Sequence, residues 1–104
     1  MQITLFYITN SNKEAAEQLG NLAIEKKLAA CANIFPINSI FPWDGSIQHS
    51  GEYVLLLKTI LSRKTELLSF IEENHPYELP CILNWEVEVN DEYGKWIEKN
   101  LIQV

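Results

Sequence analysis

Apolar positions recur along this chain with two different periods, and the switches between them mark the elements. Gln2 to Thr9, Q-I-T-L-F-Y-I-T, is β-branched and aromatic on both faces, which predicts a central strand. Asn10 to Asn12 breaks it, and Ser11 followed by Glu14 fits a capping box, so a helix is predicted to start there. Ala16, Leu19 and Ala23, with Ala15 and Leu22 beside them, recur at helical spacing. Glu17, Glu25, Lys26 and Lys27 fall on the wet side. Gly20 inside this helix costs about 1 kcal/mol against alanine, and close packing on a sheet is the expected reason for it.

Small residues in Leu28 to Phe35 (L-A-A-C-A-N-I-F) carry the chain from helix into a strand that continues through Ser39 to Trp43. Asp44-Gly45 is a hairpin signal, since the tight turn needs positive φ. The return strand is Tyr53 to Leu61, with Gly51 predicting a bulge or bend on the way in. Ser62 is placed to cap a second helix, with Leu67, Leu68 and Ile71 inward and Glu66, Glu72 and Glu73 outward. That helix must stop near Asn74, because a residue before proline avoids helical angles. Beyond His75 to Leu83, H-P-Y-E-L-P-C-I-L, Leu83, Trp85, Val87 and Val89 alternate with Asn84, Glu86 and Glu88. This reads as a half-exposed strand, edge-like or lying over another chain. A last helix, Asp91 to Asn100, has acids in its first turn and is expected to bury Tyr93, Trp96 and Ile97.

The order predicts an α+β fold over a single domain, residues 1–104: a ferredoxin-like βαββαβ sandwich with an extra C-terminal helix. Both hairpin arms exceed the usual strand length, and the tip carries Phe41, Pro42 and Trp43. Two helices on one face leave the other face of the sheet uncovered. An oligomer in which hairpins reach onto neighbouring subunits follows from both features.

Composition narrows the partners. The 104 residues are 47% hydrophobic and carry a formal net charge of −6, from 8 basic and 14 acidic residues. The basic residues form no stripe, so nucleic acid is excluded as a partner and cations are the better electrostatic match. No apolar run approaches the roughly 20 residues that span a bilayer. The N-terminus lacks the basic flank and cleavage site of a signal peptide, and a cytoplasmic location is expected. Cys31 and Cys81 then read as two buried free thiols.

Candidate chemistry gathers in His75 to Leu83. His75 is either a ligand or proton carrier, or a cap whose charge suits a helix C-terminus. Cys81 lies six residues on, a spacing that matches no common zinc pattern, so a metal site on the pair needs ligands from another segment or subunit. Copper(I), which accepts soft sulfur with fewer ligands, fits Cys and His better than magnesium or calcium. Lys58, within an apolar run, either pairs with a carboxylate such as Glu78 or Glu86 or reaches an anion. Cys31 reads as a packed thiol, His49 as solvated, and the one arginine, Arg63, as lying among solvated residues at a helix start. No Gly-rich phosphate loop, H-E-x-x-H, C-x-x-C or G-x-S-x-G is present, so no enzyme activity is expected.

Leu28 to Asn33 (L-A-A-C-A-N), Pro36 to Gly45 (P-I-N-S-I-F-P-W-D-G), Glu52 to Thr59 (E-Y-V-L-L-L-K-T) and His75 to Pro80 (H-P-Y-E-L-P) resemble the CutA family, the divalent-cation tolerance proteins. The likeness extends to Tyr93 and Trp96 in the last helix. It implies a ferredoxin-like subunit in a homotrimer similar in architecture to PII-type signalling proteins. It also implies a link to copper or another divalent cation, with no cofactor required and no catalysis. His75, Tyr77 and Glu78 match the family's H-P-Y-E element, and Cys31 its L-A-A-C cysteine. The chain departs from the family pattern at Cys81, where glutamate is common, and at Pro42, where an aromatic is. It also has Asn74 and Ile8 where some members have a histidine and a cysteine, which depletes a copper site built on those positions. The expectation is a trimeric binding protein in metal-ion homeostasis or signalling, with His75 and Cys81 as metal ligands and Lys58, Tyr77 and Glu78 in a subunit cleft. The alternative is a PII-like sensor of a small anionic ligand contacted by Lys58.

Overall fold

The computed structural model describes residues 1–102. Its elements are β1 (Gln2–Asn10), α1 (Lys13–Glu25), β2 (Cys31–Trp43), β3 (Ser46–Thr59), α2 (Lys64–Asn74), β4 (Ile82–Glu88) and α3 (Asp91–Leu101), with a 3₁₀ turn, Leu61–Arg63, leading into α2. The sheet order is β2-β3-β1-β4, every neighbouring pair antiparallel. This is the predicted ferredoxin-like βαββαβ arrangement with an added C-terminal helix. β1 lies between two strands, which is why both of its faces are apolar.

Register separates the two faces of the sheet. Phe6 pairs with Leu57 and Ile8 with Leu55, while Ala32 and Ile34 of β2 continue the same rows. These residues pack beneath α1 and α2 with Ala16, Leu19, Ala23, Leu67, Phe70 and Ile71. Gly20 belongs to this contact: a Cβ there would lie 3.0 Å from Leu55 Cδ1 and 3.3 Å from the Ala32 Cβ, so the helix approaches the sheet where only a hydrogen fits. On the opposite face α3 covers one end, joining Ile97 and Leu101 to Ile3 and Ile60. Past α3 that face is open, with Phe35 40%, Trp85 43% and Leu83 53% exposed.

Several local expectations change. Asn12, not Ser11, caps α1, its side-chain oxygen accepting the Ala15 N–H at 2.7 Å. The far end of α1 closes with Lys27 at φ 58, as the Leu28 N–H reaches the Ala23 carbonyl and the Lys27 N–H that of Ile24, a Schellman pattern. β2 and β3 pair without a break from Cys31↔Lys58 to Trp43↔Ser46, so Gly51 sits in plain register with Asn38 and makes no bulge. Asp44 and Gly45 both have positive φ, 49° and 79°, as a two-residue hairpin turn requires. Ser62 falls inside the 3₁₀ turn and caps nothing. Phe70 joins the core while Leu68 is only partly buried. α3 buries Gly94, Ile97 and Leu101, leaving Trp96 46% exposed and stacked on Tyr93. Arg63 is not among solvated residues: its Nη2 donates to the Leu101 carbonyl at 2.7 Å, tying the end of α3 to the start of α2.

Candidate functional site

α2 ends at Asn74 because Pro76 pushes His75 out of helical angles, to ψ 131. The His75 N–H still donates to the Ile71 carbonyl, as a C-cap does. Its ring is buried and bonded at both nitrogens. Nδ1 accepts the Tyr77 N–H at 3.1 Å, so Nε2 carries the hydrogen and donates to the Thr9 carbonyl at 2.7 Å. The imidazole thus joins the end of β1, the end of α2 and the connector that follows. Its edge also meets the Tyr77 ring, with centroids 4.7 Å apart and planes at 68°.

Tyr77 passes this order on to the hairpin. Its hydroxyl donates to Glu52 Oε2 at 2.7 Å, across from the connector to the base of the long arm of β3. Burial first, and then the adjacent carboxylate, hold that hydroxyl protonated to higher pH than an ordinary tyrosine. Between connector and hairpin lies a cleft of about 920 Å³. Tyr77, Glu78 and Cys81 line it from the connector side, and Phe41, Trp43 and Glu52 from the hairpin. Among the described residues no Lys or Arg lines it, and His49 is its one basic side chain. His49 was read from sequence as merely solvated.

The predicted site residues divide. Tyr77, Glu78 and Cys81 share the cleft, and His75 stands behind it. Lys58 is elsewhere: it lies six residues from Glu52 on β3, roughly 20 Å at strand rise. Neither predicted carboxylate pairs with it. Its ammonium donates to the Tyr93 hydroxyl at 3.3 Å and lies 5.2 Å from the centroid of that ring. Glu86 instead accepts the Thr4 hydroxyl. Both cysteines are free, but only Cys31 is partly buried; Cys81 is exposed, against the reading of two buried thiols.

A metal ion is not fully provided for by one chain. Among the described residues no three His, Cys, Asp or Glu side chains converge on a point. Both His75 nitrogens already serve hydrogen bonds, so the soft donor within the cleft is Cys81. Glu52, Phe41 and Trp43 were not read as site residues. The hairpin register places them on one side of the arm, but their approach to Tyr77 is a long-range contact with no local signal.

Comparison with known proteins places this architecture. Residues 4–100 match the CutA1 divalent ion tolerance protein family. The chain is 38% identical over 96 residues to the divalent-cation tolerance protein CutA of Archaeoglobus fulgidus, covering 91% of this chain and 94% of that one. It is 34% identical to the chloroplastic CutA protein of Arabidopsis thaliana over 90% of its own length, and spans 53% of that longer relative. The solved structure of the A. fulgidus protein, described as periplasmic, aligns with a TM-score of 0.90 at 36% identity over 98% of this chain and 100% of the other. The divalent ion tolerance protein CutA1 of Ehrlichia chaffeensis aligns at 0.93 and 32% identity, over 97% and 96% of the two chains. With sequence and fold agreeing from end to end, the chain belongs to the CutA1 divalent ion tolerance family.

Proposed function

We propose that this protein is a non-catalytic, homotrimeric binding protein serving tolerance of divalent cations, copper foremost, and that its ligand enters the cleft between connector and hairpin. The observation that carries the reading is the chemistry of that cleft: Glu52, Glu78 and a free thiol at Cys81, with no Lys or Arg among the described residues lining it. Such a wall attracts cations and repels anions. It weighs against the PII-like reading of an anionic ligand, whose expected contact, Lys58, faces Tyr93 instead.

Trimer formation is supported by the open sheet face, where Phe35, Leu83 and Trp85 expose more apolar surface than a monomer keeps in water. A neighbouring copy seated there also brings the further donors that a metal on Cys81 requires. A cytoplasmic setting suits two unpaired thiols. No helix among the described residues is long and apolar enough to cross a membrane.

Native mass spectrometry under reducing conditions tests this reading. The expected species is a trimer that takes up a whole number of copper ions saturably, with uptake lost in Cys81→Ser. Weak, graded adducts unaffected by that substitution would assign the binding to the acidic surface and overturn it.

A further inference from the structure

The cleft is much larger than a metal ion needs, and its walls are not those of a metal site alone. At about 920 Å³ it falls within the size of pockets that hold small organic molecules. Ile37, Phe41, Trp43 and Tyr77 give it apolar and aromatic surface, while Glu52 and Glu78 give it negative charge. Ser39 and Ser50 add hydroxyl acceptors beside them.

We infer that this cleft binds a protonated aliphatic amine, its ammonium against Glu52 and its methylene stem along Trp43 and Tyr77. This rests on the reading of the cleft as the ligand site and names the class of ligand. Three features favour an organic cation. Ammonium groups donate hydrogen bonds and accept none, so a wall of carboxylates and hydroxyl oxygens suits them. Aromatic faces attract cations and also cover alkyl stems. A bare ion needs several ligands converging on one point, which a single chain does not offer among its described residues; an amine needs only acceptors spread along a wall.

The acceptor is also held in place before any ligand arrives. The Tyr77 hydroxyl fixes one oxygen of Glu52 at 2.7 Å. Tyr77 is itself fixed by its N–H on His75 Nδ1 and by the edge contact between the two rings. His75 is anchored in turn on the Thr9 carbonyl. Glu52 therefore needs little reordering to receive a donor, and preorganised sites lose less on binding.

Isothermal titration of the full chain with putrescine, at neutral pH and low salt, tests the inference. 1,4-Butanediol and succinate serve as the neutral and anionic molecules of like length. Saturable uptake of putrescine alone is expected, one site per chain, weakened roughly tenfold by Glu52→Gln as loss of a charge-assisted contact implies. Trp43→Leu is expected to weaken it by a smaller factor. Glu78→Gln, on the exposed connector, is a second variant should Glu52→Gln fail to fold, and a smaller loss is expected there too. Uptake unchanged in the carboxylate variants, or equalled by butanediol, would overturn the inference. A parallel copper titration separates it from the function proposed above. Copper uptake that needs Cys81, with no putrescine uptake, removes the amine and leaves the metal reading. Putrescine uptake without copper uptake does the reverse, and failure of both removes the cleft as a ligand site.

Discussion

Leu55 and Leu57 of β3 are fully buried beneath α1, whereas Ile47, nearer the tip of the same strand, is 72% exposed. Both stretches belong to one unbroken β2–β3 ladder, so backbone pairing does not distinguish them. The difference lies in what covers the side chains. The helix-covered half is held by burial of apolar surface, which is non-directional and scales with area. The hairpin arm is held by its ladder, by a turn with two positive φ angles, and at its base by the Tyr77–Glu52 hydrogen bond. One half resists change, and the other is free to meet a ligand or a neighbouring copy.

Truncation in the covered half breaks the comparison most severely. Phe6→Ala removes a fully buried ring from the layer under the helices and is expected to cost about 3–5 kcal/mol. Chemical denaturation at fixed protein concentration measures it, since unfolding of an oligomer depends on concentration.

The next effect lies at the joint between the halves. Tyr77→Phe removes the donor to Glu52 and is expected to cost about 1–2 kcal/mol, with faster amide exchange confined to the connector and the base of the hairpin. The same bond has a pH signature. The folded-state pKa of Tyr77 is raised above the unfolded value of 10.0. Its contribution is therefore complete below pH 10 and is lost as pH climbs from there through the folded-state value. Absorbance titration of the phenols checks this: Tyr77 should be the last of the four tyrosines to ionise, and in Tyr77→Phe that latest step should vanish.

Two smaller substitutions at the ends of α1 sharpen the account of the covered half. Asn12→Ala deletes the cap on the Ala15 N–H and is expected to cost about 1 kcal/mol. Lys27→Gly relieves a side chain at φ 58 and is expected to gain up to about 1 kcal/mol. Thermal unfolding of each variant reads the sign.

What was legible in the sequence follows the same division. Strand β1 as a central strand, the buried stripe of α1, the Asp44-Gly45 turn and the end of α2 before Pro76 each leave a local mark in periodicity or turn chemistry. The sheet order followed from those elements and the rules for connecting them. Contacts between distant residues left no such mark. Lys58 turned to Tyr93 and not to a carboxylate, Arg63 to the carbonyl of Leu101, and Tyr77 to Glu52. Trp96 shares a helical face with Tyr93, but the two stack on each other and Trp96 stays outside. The connector was singled out because it concentrates rare residue types, yet its sequence did not show which would face the cleft. Tyr77, Glu78 and Cys81 do, whereas His75 serves as the joint behind them.

The most direct test of the cleft as the cation site is a nuclear magnetic resonance titration of the ¹⁵N-labelled protein with copper(I) under reducing conditions. Saturable shifts confined to Glu52, the residues from Tyr77 to Cys81 and the facing hairpin arm are predicted. Shifts spread over the exposed carboxylates of α1 and α3, with the cleft unmoved, would contradict it.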